Sequence, residues 1–72
     1  MKYNEDLKRL GKRIAELRTE KGLTQNNIAD LCDIERSNIA RIEAGNTNPT
    51  YLTLLKIANA LNISISELLD MD

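Results

Sequence analysis

The spacing of apolar residues most constrains what this chain can fold into. Between Leu7 and Leu17, apolar side chains recur at steps of three and four through Leu10 and Ile14, with charged residues between them. This spacing is typical of an amphipathic helix with one apolar stripe. Shorter runs with the same period follow, separated by turn-forming residues, and aromatic residues make up only 3% of the chain. The pattern predicts a compact all-α fold of five short helices.

Capping and turn residues divide the chain into these helices. The predicted N-caps are Asn4, Thr24, Thr50 and Ser64, the last in a capping box with Glu67. The predicted turn residues are Gly22, Asp33, Gly45 and Asn62. The predicted inward faces after the first helix are Ile28, Ala29, Leu31 and Cys32; Ile39 and Ile42; Leu54, Leu55, Ile57, Ala58 and Leu61; and Leu68 and Leu69.

Several classes of protein are disfavoured by composition. The chain has one cysteine and no histidine, so an internal disulfide is impossible and neither a zinc site nor any other cofactor is expected. Cys32 is predicted to be a small buried side chain, reduced in the cytoplasm; a redox-sensing thiol is the alternative. No catalytic constellation or phosphate-binding glycine loop is present, so we do not expect an enzyme. No secretory signal or membrane-spanning run is present, which favours a cytoplasmic protein.

Charge is distributed unevenly along the chain. The net charge is −1, but residues 1–41 hold nine basic and seven acidic residues, whereas residues 42–72 hold one basic and four acidic ones. A DNA-binding face can be locally basic on a nearly neutral protein. The overall charge therefore neither predicts nor excludes a nucleic-acid partner.

The third predicted helix carries the most informative surface. Arg36, Ser37, Asn38 and Arg41 are predicted to face away from its buried isoleucines, and no acidic residue lies between the two arginines. Arginine can pair bidentately with guanine, asparagine with adenine, and serine with several base edges. An ordinary solvated surface is the alternative interpretation of these four residues.

At this point the sequence resembles a known family, the helix-turn-helix regulators of the lambda-repressor and Cro type (the XRE family). The resemblance extends from Leu17 to Leu69. It rests on Leu23-Thr24-Gln25, Ile28-Ala29, Ile34, Arg36-Ser37, Ile39, Arg41-Ile42-Glu43, Gly45, Asn48-Pro49, Leu54 to Ala58, Ala60-Leu61 and Ser64 to Leu69.

The resemblance implies that residues 1–72 form one DNA-binding domain of five helices. It implies a positioning helix at about 24–31 and a recognition helix at about 35–44, with Arg36, Ser37, Asn38 and Arg41 as base-reading residues. The residues that it implies as phosphate-contacting are Thr24, Gln25, Asn46, Thr47 and Asn48. The alternative interpretation of the last three is that they only form a turn. Lys12 and Arg13 are further candidates for adding charge to the interface.

Two more matched residues, Arg18 and Glu43, are implied to form a structural ion pair. The chain departs from the family at Asp33, where glycine is usual, and at Glu35, where serine or threonine often caps the recognition helix. Glu35 is expected either to accept a hydrogen bond from a cytosine or to restrain Arg36.

The C-terminal segment is unusually apolar for a chain end, and we expect part of it to form a homodimer interface. The candidate interface residues are Ile63, Ile65, Leu68, Leu69 and Met71. A homodimer would place two recognition helices about 34 Å apart on a palindromic double-stranded DNA operator.

These residues are consistent with three kinds of regulator: a phage-type repressor, a restriction-modification controller, and the antitoxin of a toxin–antitoxin pair, which would have a toxin as its protein partner. A protein-interaction module that has lost DNA reading is the alternative, favoured by Asp30, Asp33 and Glu35.

Overall fold

The structure, a computed structural model, describes residues 2–71. Within this range the chain is all-α, as the periodicity predicts, and it has no β-strand. The helices are α1 (Asn4–Glu20), α2 (Gln25–Cys32), α3 (Arg36–Glu43), α4 (Tyr51–Ala60) and α5 (Ile65–Leu68). α3 packs against α1 and α2, while α4 packs against α2 and α5. No helix in the described range is both long enough and apolar enough to cross a membrane.

The helix starts agree with the sequence except at α1. Thr24, Thr50 and Ser64 each accept a hydrogen bond from a backbone amide three residues later, and Ser64 forms the predicted capping box with Glu67. The prediction for Asn4 is wrong, because it lies inside α1 and the preceding Tyr3 is the N-cap, without a side-chain hydrogen bond. α1 therefore starts without the side-chain acceptor that the other capped helices use.

The chain reverses at the turn residues that the sequence indicates. Gly22 and Gly45 have φ of +73° and +77°, and Asp33 and Asn62 have φ of +56° and +59°. Asparagine and aspartate tolerate this left-handed conformation better than most side chains do. Asp33 can therefore replace the usual glycine.

The core lies where α1 to α5 converge. Its fully buried large side chains come from every helix or its immediate end: Ile14, Ile28, Ile39, Ile42, Ile57, Leu61 and Leu68. Cys32 is buried beside them, as predicted, and no polar or charged residue in the described range is classed as buried. The short helices are thus held mainly by burial of one apolar face each.

Three of the leucines predicted to face inward are exposed instead. Leu31 is 61% exposed, and Leu55 and Leu69 are also classed as exposed. In α2, Ile28, Ala29 and Cys32 already fill the arc that faces the core, and Leu31 lies to one side of that arc. Leu55 lies outside the corresponding buried arc of α4 for the same geometric reason.

Only some of the side chains expected to form the dimer interface are accessible on the surface. Leu68 is fully buried inside its own chain, so including it in an interface was wrong. Ile63 and Ile65 are half-buried and pack against the core. Leu69 remains exposed and Met71 half-buried. Most of the apolar side chains in and around α5 are therefore packed against the core of the same chain.

Candidate nucleic-acid interface

The unit formed by α2, a short turn and α3 presents the residues of interest. Thr24 and Asn27 form a reciprocal capping box at the start of α2, with backbone-to-side-chain distances of 3.0 and 2.9 Å. The turn closes when the Ile34 amide donates to the Ala29 carbonyl at 3.0 Å, with Asp33 in the left-handed region. α2 and α3 each begin and end within about one residue of the ranges predicted for the positioning and recognition helices.

The two sides of α3 differ in burial. Ile39 and Ile42 are buried, whereas Arg36, Ser37 and Arg41 are exposed. Asn38 is half-buried and accepts a hydrogen bond from Nη2 of Arg41 at 3.3 Å. Three of the four base-reading candidates therefore reach solvent freely, and the fourth is positioned beside Arg41.

The pair Arg18–Glu43 joins the end of α1 to the end of α3. Nε of Arg18 donates to Oε2 of Glu43 at 2.7 Å, and Nη2 donates to Oε1 at 3.0 Å. The side chains are 14% and 7% exposed, and Nη1 of Arg18 also donates to the Leu23 carbonyl at 2.8 Å. The hydrogen bond to Glu43 raises the pKa of the Arg18 guanidinium above its ordinary value.

Gln25 extends this pair toward the exposed face of α3. Its Nε2 donates to Oε1 of Glu43 at 3.0 Å, and its Oε1 accepts from Nη1 of Arg36 at 3.3 Å. The sequence pattern indicates neither contact, because the partners lie 18 and 11 positions away in sequence. Glu35, expected to restrain Arg36, neither hydrogen-bonds to it nor caps α3 with its side chain.

Backbone amides without hydrogen-bond partners in the described part of the chain lie at the start of α2 and in the loop after α3. The amides of Gln25 and Asn26, in the first turn of α2, have no hydrogen-bond partner among residues 2–71. The same is true of the amides of Thr47 and Asn48 in the loop after α3. The first four N–H groups of a helix are left without intrahelical partners, and anions bind readily at such positions.

Arg13, one of the two candidates on α1 for adding charge to the interface, forms hydrogen bonds within the fold. Its guanidinium donates to the carbonyls of Glu67 and Leu68, at 2.7 and 3.4 Å respectively. These bonds tie α5 to α1. Lys12, the other candidate on α1, is exposed.

Gly11 has a packing role that was missed. A Cβ on this buried glycine would lie 2.7 Å from the carbonyl carbon of Glu43 and closer still to the carbonyl oxygens of Ile42 and Glu43. A glycine within the regular apolar pattern of α1 was the available signal. α1 and α3 therefore approach closely enough to exclude any side chain at this position.

Comparison with known proteins agrees with this architecture. The family described as a helix-turn-helix domain matches residues 11–71. The HTH-type transcriptional regulator y4dJ of Sinorhizobium fredii is 39% identical over 64 residues, which cover 88% of this chain and 83% of y4dJ.

Solved structures show the same similarity. The restriction-modification controller protein C.AhdI from Aeromonas hydrophila is 42% identical, with a TM-score of 0.88 over 89% of this chain and 97% of C.AhdI. A chain in the complex of SinR protein with SinI protein is 34% identical, with a TM-score of 0.79 over 85% of this chain and 60% of that chain. The present chain thus belongs to the helix-turn-helix family of DNA-binding transcriptional regulators, of the lambda-repressor and Cro type.

Proposed function

We propose that this regulator binds a palindromic operator sequence-specifically, as a homodimer, with α3 in the major groove. The observation that carries the proposal is the division of α3 into a buried side and an exposed side. The exposed side offers guanidinium, hydroxyl and carboxamide groups, and no carboxylate lies between Arg36 and Arg41. These groups match the hydrogen-bonding edges of base pairs in the major groove.

Base reading is assigned to Arg36, Ser37, Asn38 and Arg41. Contacts to phosphates are assigned to Thr24 and Gln25 at the start of α2 and to Asn46, Thr47 and Asn48 after α3. The free amides at both places support this second assignment, because phosphate contacts commonly use backbone N–H groups. Phosphate contacts position the domain on DNA, and base contacts select the sequence.

Exposed apolar side chains support the homodimer. Leu52 and Leu55 on α4 and Leu69 after α5 are exposed, and α4 packs against α5. We propose that these leucines, with Met71, form the interface between protomers. The domain measures 31 × 24 × 21 Å, dimensions comparable to the spacing of about 34 Å between the two recognition helices of a dimer on DNA.

Selection of bound duplexes from a random DNA library at about 0.15 M salt tests the proposal. We expect enrichment of a two-fold symmetric site with half-sites about one helical turn apart. A single unpaired half-site would contradict the dimer. Absence of enrichment by protein shown to be folded would contradict sequence-specific reading.

A protein partner is the second candidate function. Asp30, Asp33 and Glu35 line a shallow surface groove with Ala29 and Ile34, giving an acidic patch beside the recognition helix. The similar chain in the SinR–SinI complex favours this candidate. An antitoxin-like regulator would use this patch or the apolar leucines to bind a toxin. DNA affinity that hardly changes with salt, together with a stable complex with a co-encoded protein, would favour the interaction module over the operator-binding regulator.

A further inference from the structure

A groove separates the first turns of α1 from the loop that follows α3. It is lined by Asn4, Leu7 and Lys8 of α1 and by residues 45–48 of the loop, and its volume is about 520 Å³. This α1–loop groove contains no carboxylate among its lining residues. Its loop side is the segment already assigned to phosphate contacts, whereas its α1 side has been given no function.

The loop side of the groove is rich in free hydrogen-bond donors. The Thr47 and Asn48 amides have no partner within residues 2–71, and neither do the Thr47 hydroxyl or the carboxamides of Asn46 and Asn48. Hydrogen-bond donors that have no acceptor within the protein can instead bind an anion, which only accepts hydrogen bonds. Residues 45–50 include no cation, so the loop alone lacks the charge that phosphate binding commonly uses.

Lys8 can supply that charge. A Cβ on Gly45 would lie 2.7 Å from Cα and 2.8 Å from Cγ of Lys8, so the lysine stem runs directly along the loop backbone. The Lys8 side chain is 60% exposed, and its nearest carboxylate is the highly exposed Glu5, at 3.7 Å. An ion pair that is this exposed, with its charged atoms this far apart, restrains the Lys8 ammonium only weakly.

We propose that the α1–loop groove is a binding site for a phosphate of the DNA backbone, in which Lys8 provides the cation and the loop provides neutral donors. The inference rests on the proposed function, because it requires that the chain bind DNA. It adds α1 to the interface. It also gives Gly45 a role, since a side chain there would displace Lys8 from the loop.

The test compares the salt dependence of binding for two matched variants on the duplex recovered by selection. Neutralising one phosphate contact lowers the slope of log affinity against log salt by about 0.9. Because a homodimer carries two such sites, we expect Lys8→Gln to reduce the slope by about 1.8 and to weaken all duplex sequences alike. Lys56→Gln, which removes the same charge from α4 outside the groove, should leave the slope unchanged. Glu5→Gln should strengthen binding.

The outcomes separate this inference from the function on which it rests. A steep salt dependence in the parent protein, with equal slopes for Lys8→Gln and Lys56→Gln, would overturn the phosphate site and leave DNA binding intact. A loss restricted to one base substitution would also overturn it, because Lys8 would then contact a base. A parent protein that binds no duplex would overturn both. Circular dichroism of each variant establishes that the fold is retained.

Discussion

Glu43 determines which way the Gln25 carboxamide faces. The two side chains meet at 3.0 Å, Nε2 of Gln25 to Oε1 of Glu43. Because an ionised carboxylate only accepts hydrogen bonds, the amide nitrogen of Gln25 must face Glu43, and its oxygen then faces Arg36. The Gln25 side chain thus links the Arg18–Glu43 pair to Arg36, an exposed residue on α3.

Replacement of Arg36 tests its assignment to base reading. We expect Arg36→Ala to lower discrimination at one base position by about 1–3 kcal/mol, because a bidentate base contact is lost. Gln25→Ala should weaken all sequences alike, as expected for a phosphate contact. Competition binding with a panel of singly substituted duplexes measures both effects. Uniform weakening by Arg36→Ala would remove this residue from the base-reading set.

Loss of one partner of the Arg18–Glu43 pair should destabilise the fold strongly. Arg18→Met leaves Glu43 nearly buried without its cation, and removal of one member of a buried pair costs about 3–5 kcal/mol in the free energy of unfolding. The exposed pair Arg9–Asp6, at 3.8 Å, provides the control. Asp6→Asn should change stability by less than about 1 kcal/mol. Urea unfolding measures both variants, and equal effects would contradict a structural role for the inner pair.

Gly11→Ala should destabilise the protein although alanine is the better helix former. In an exposed helix this change gains about 1 kcal/mol. Here the added methyl group would overlap the end of α3, and overpacking costs about 1–3 kcal/mol. Thermal unfolding should therefore show a lower midpoint, with Glu16→Ala on the exposed face of α1 as the control. A raised midpoint for Gly11→Ala would show that the two helices can separate easily.

Cys32 should make stability fall at alkaline pH. Burial raises the pKa of its thiol, and the Lys56 ammonium lowers it by a smaller amount. The folded state therefore retains the thiol proton where the unfolded chain has released it, so the free energy of unfolding decreases as pH rises above about 8.5. Urea unfolding from pH 7 to 10 should show the stability advantage of the parent over Cys32→Ala shrinking with pH. Parallel pH curves would contradict this prediction.

The proposed dimer depends on exposed leucines. We expect Leu52→Gln and Leu69→Gln to weaken self-association, because each removes apolar area that a partner protomer would cover. Neither residue is buried in the monomer, so folding should be retained. Tyr3→Gln, at an exposed aromatic residue at the start of α1, is the control. Sedimentation equilibrium gives the association constants; an unchanged constant for both leucine variants would place the interface elsewhere.

Local rules predicted the helices better than they predicted the contacts between helices. Thr24 and Ser64 cap helices, and Asp33 forms a turn, through contacts and backbone conformation within a few residues. The local sequence is therefore enough to predict their roles. The exposure of Leu31 and Leu55 depends on where neighbouring helices lie, which a periodic pattern does not specify. The hydrogen bond between Gln25 and Glu43 joins residues brought together only by folding.

The residues on the two sides of α3 have separate roles, so the exposed side can be redesigned without changing the buried side. Packing and the ionic link to α1 depend on Ile39, Ile42 and Glu43, whereas Arg36, Ser37 and Arg41 contribute nothing to the core. Randomising the exposed positions should therefore yield libraries in which most members still fold. The domain can serve as a fixed frame on which new operator preferences are selected. Arg36 is the position to vary with care, because Gln25 would have to find a new partner.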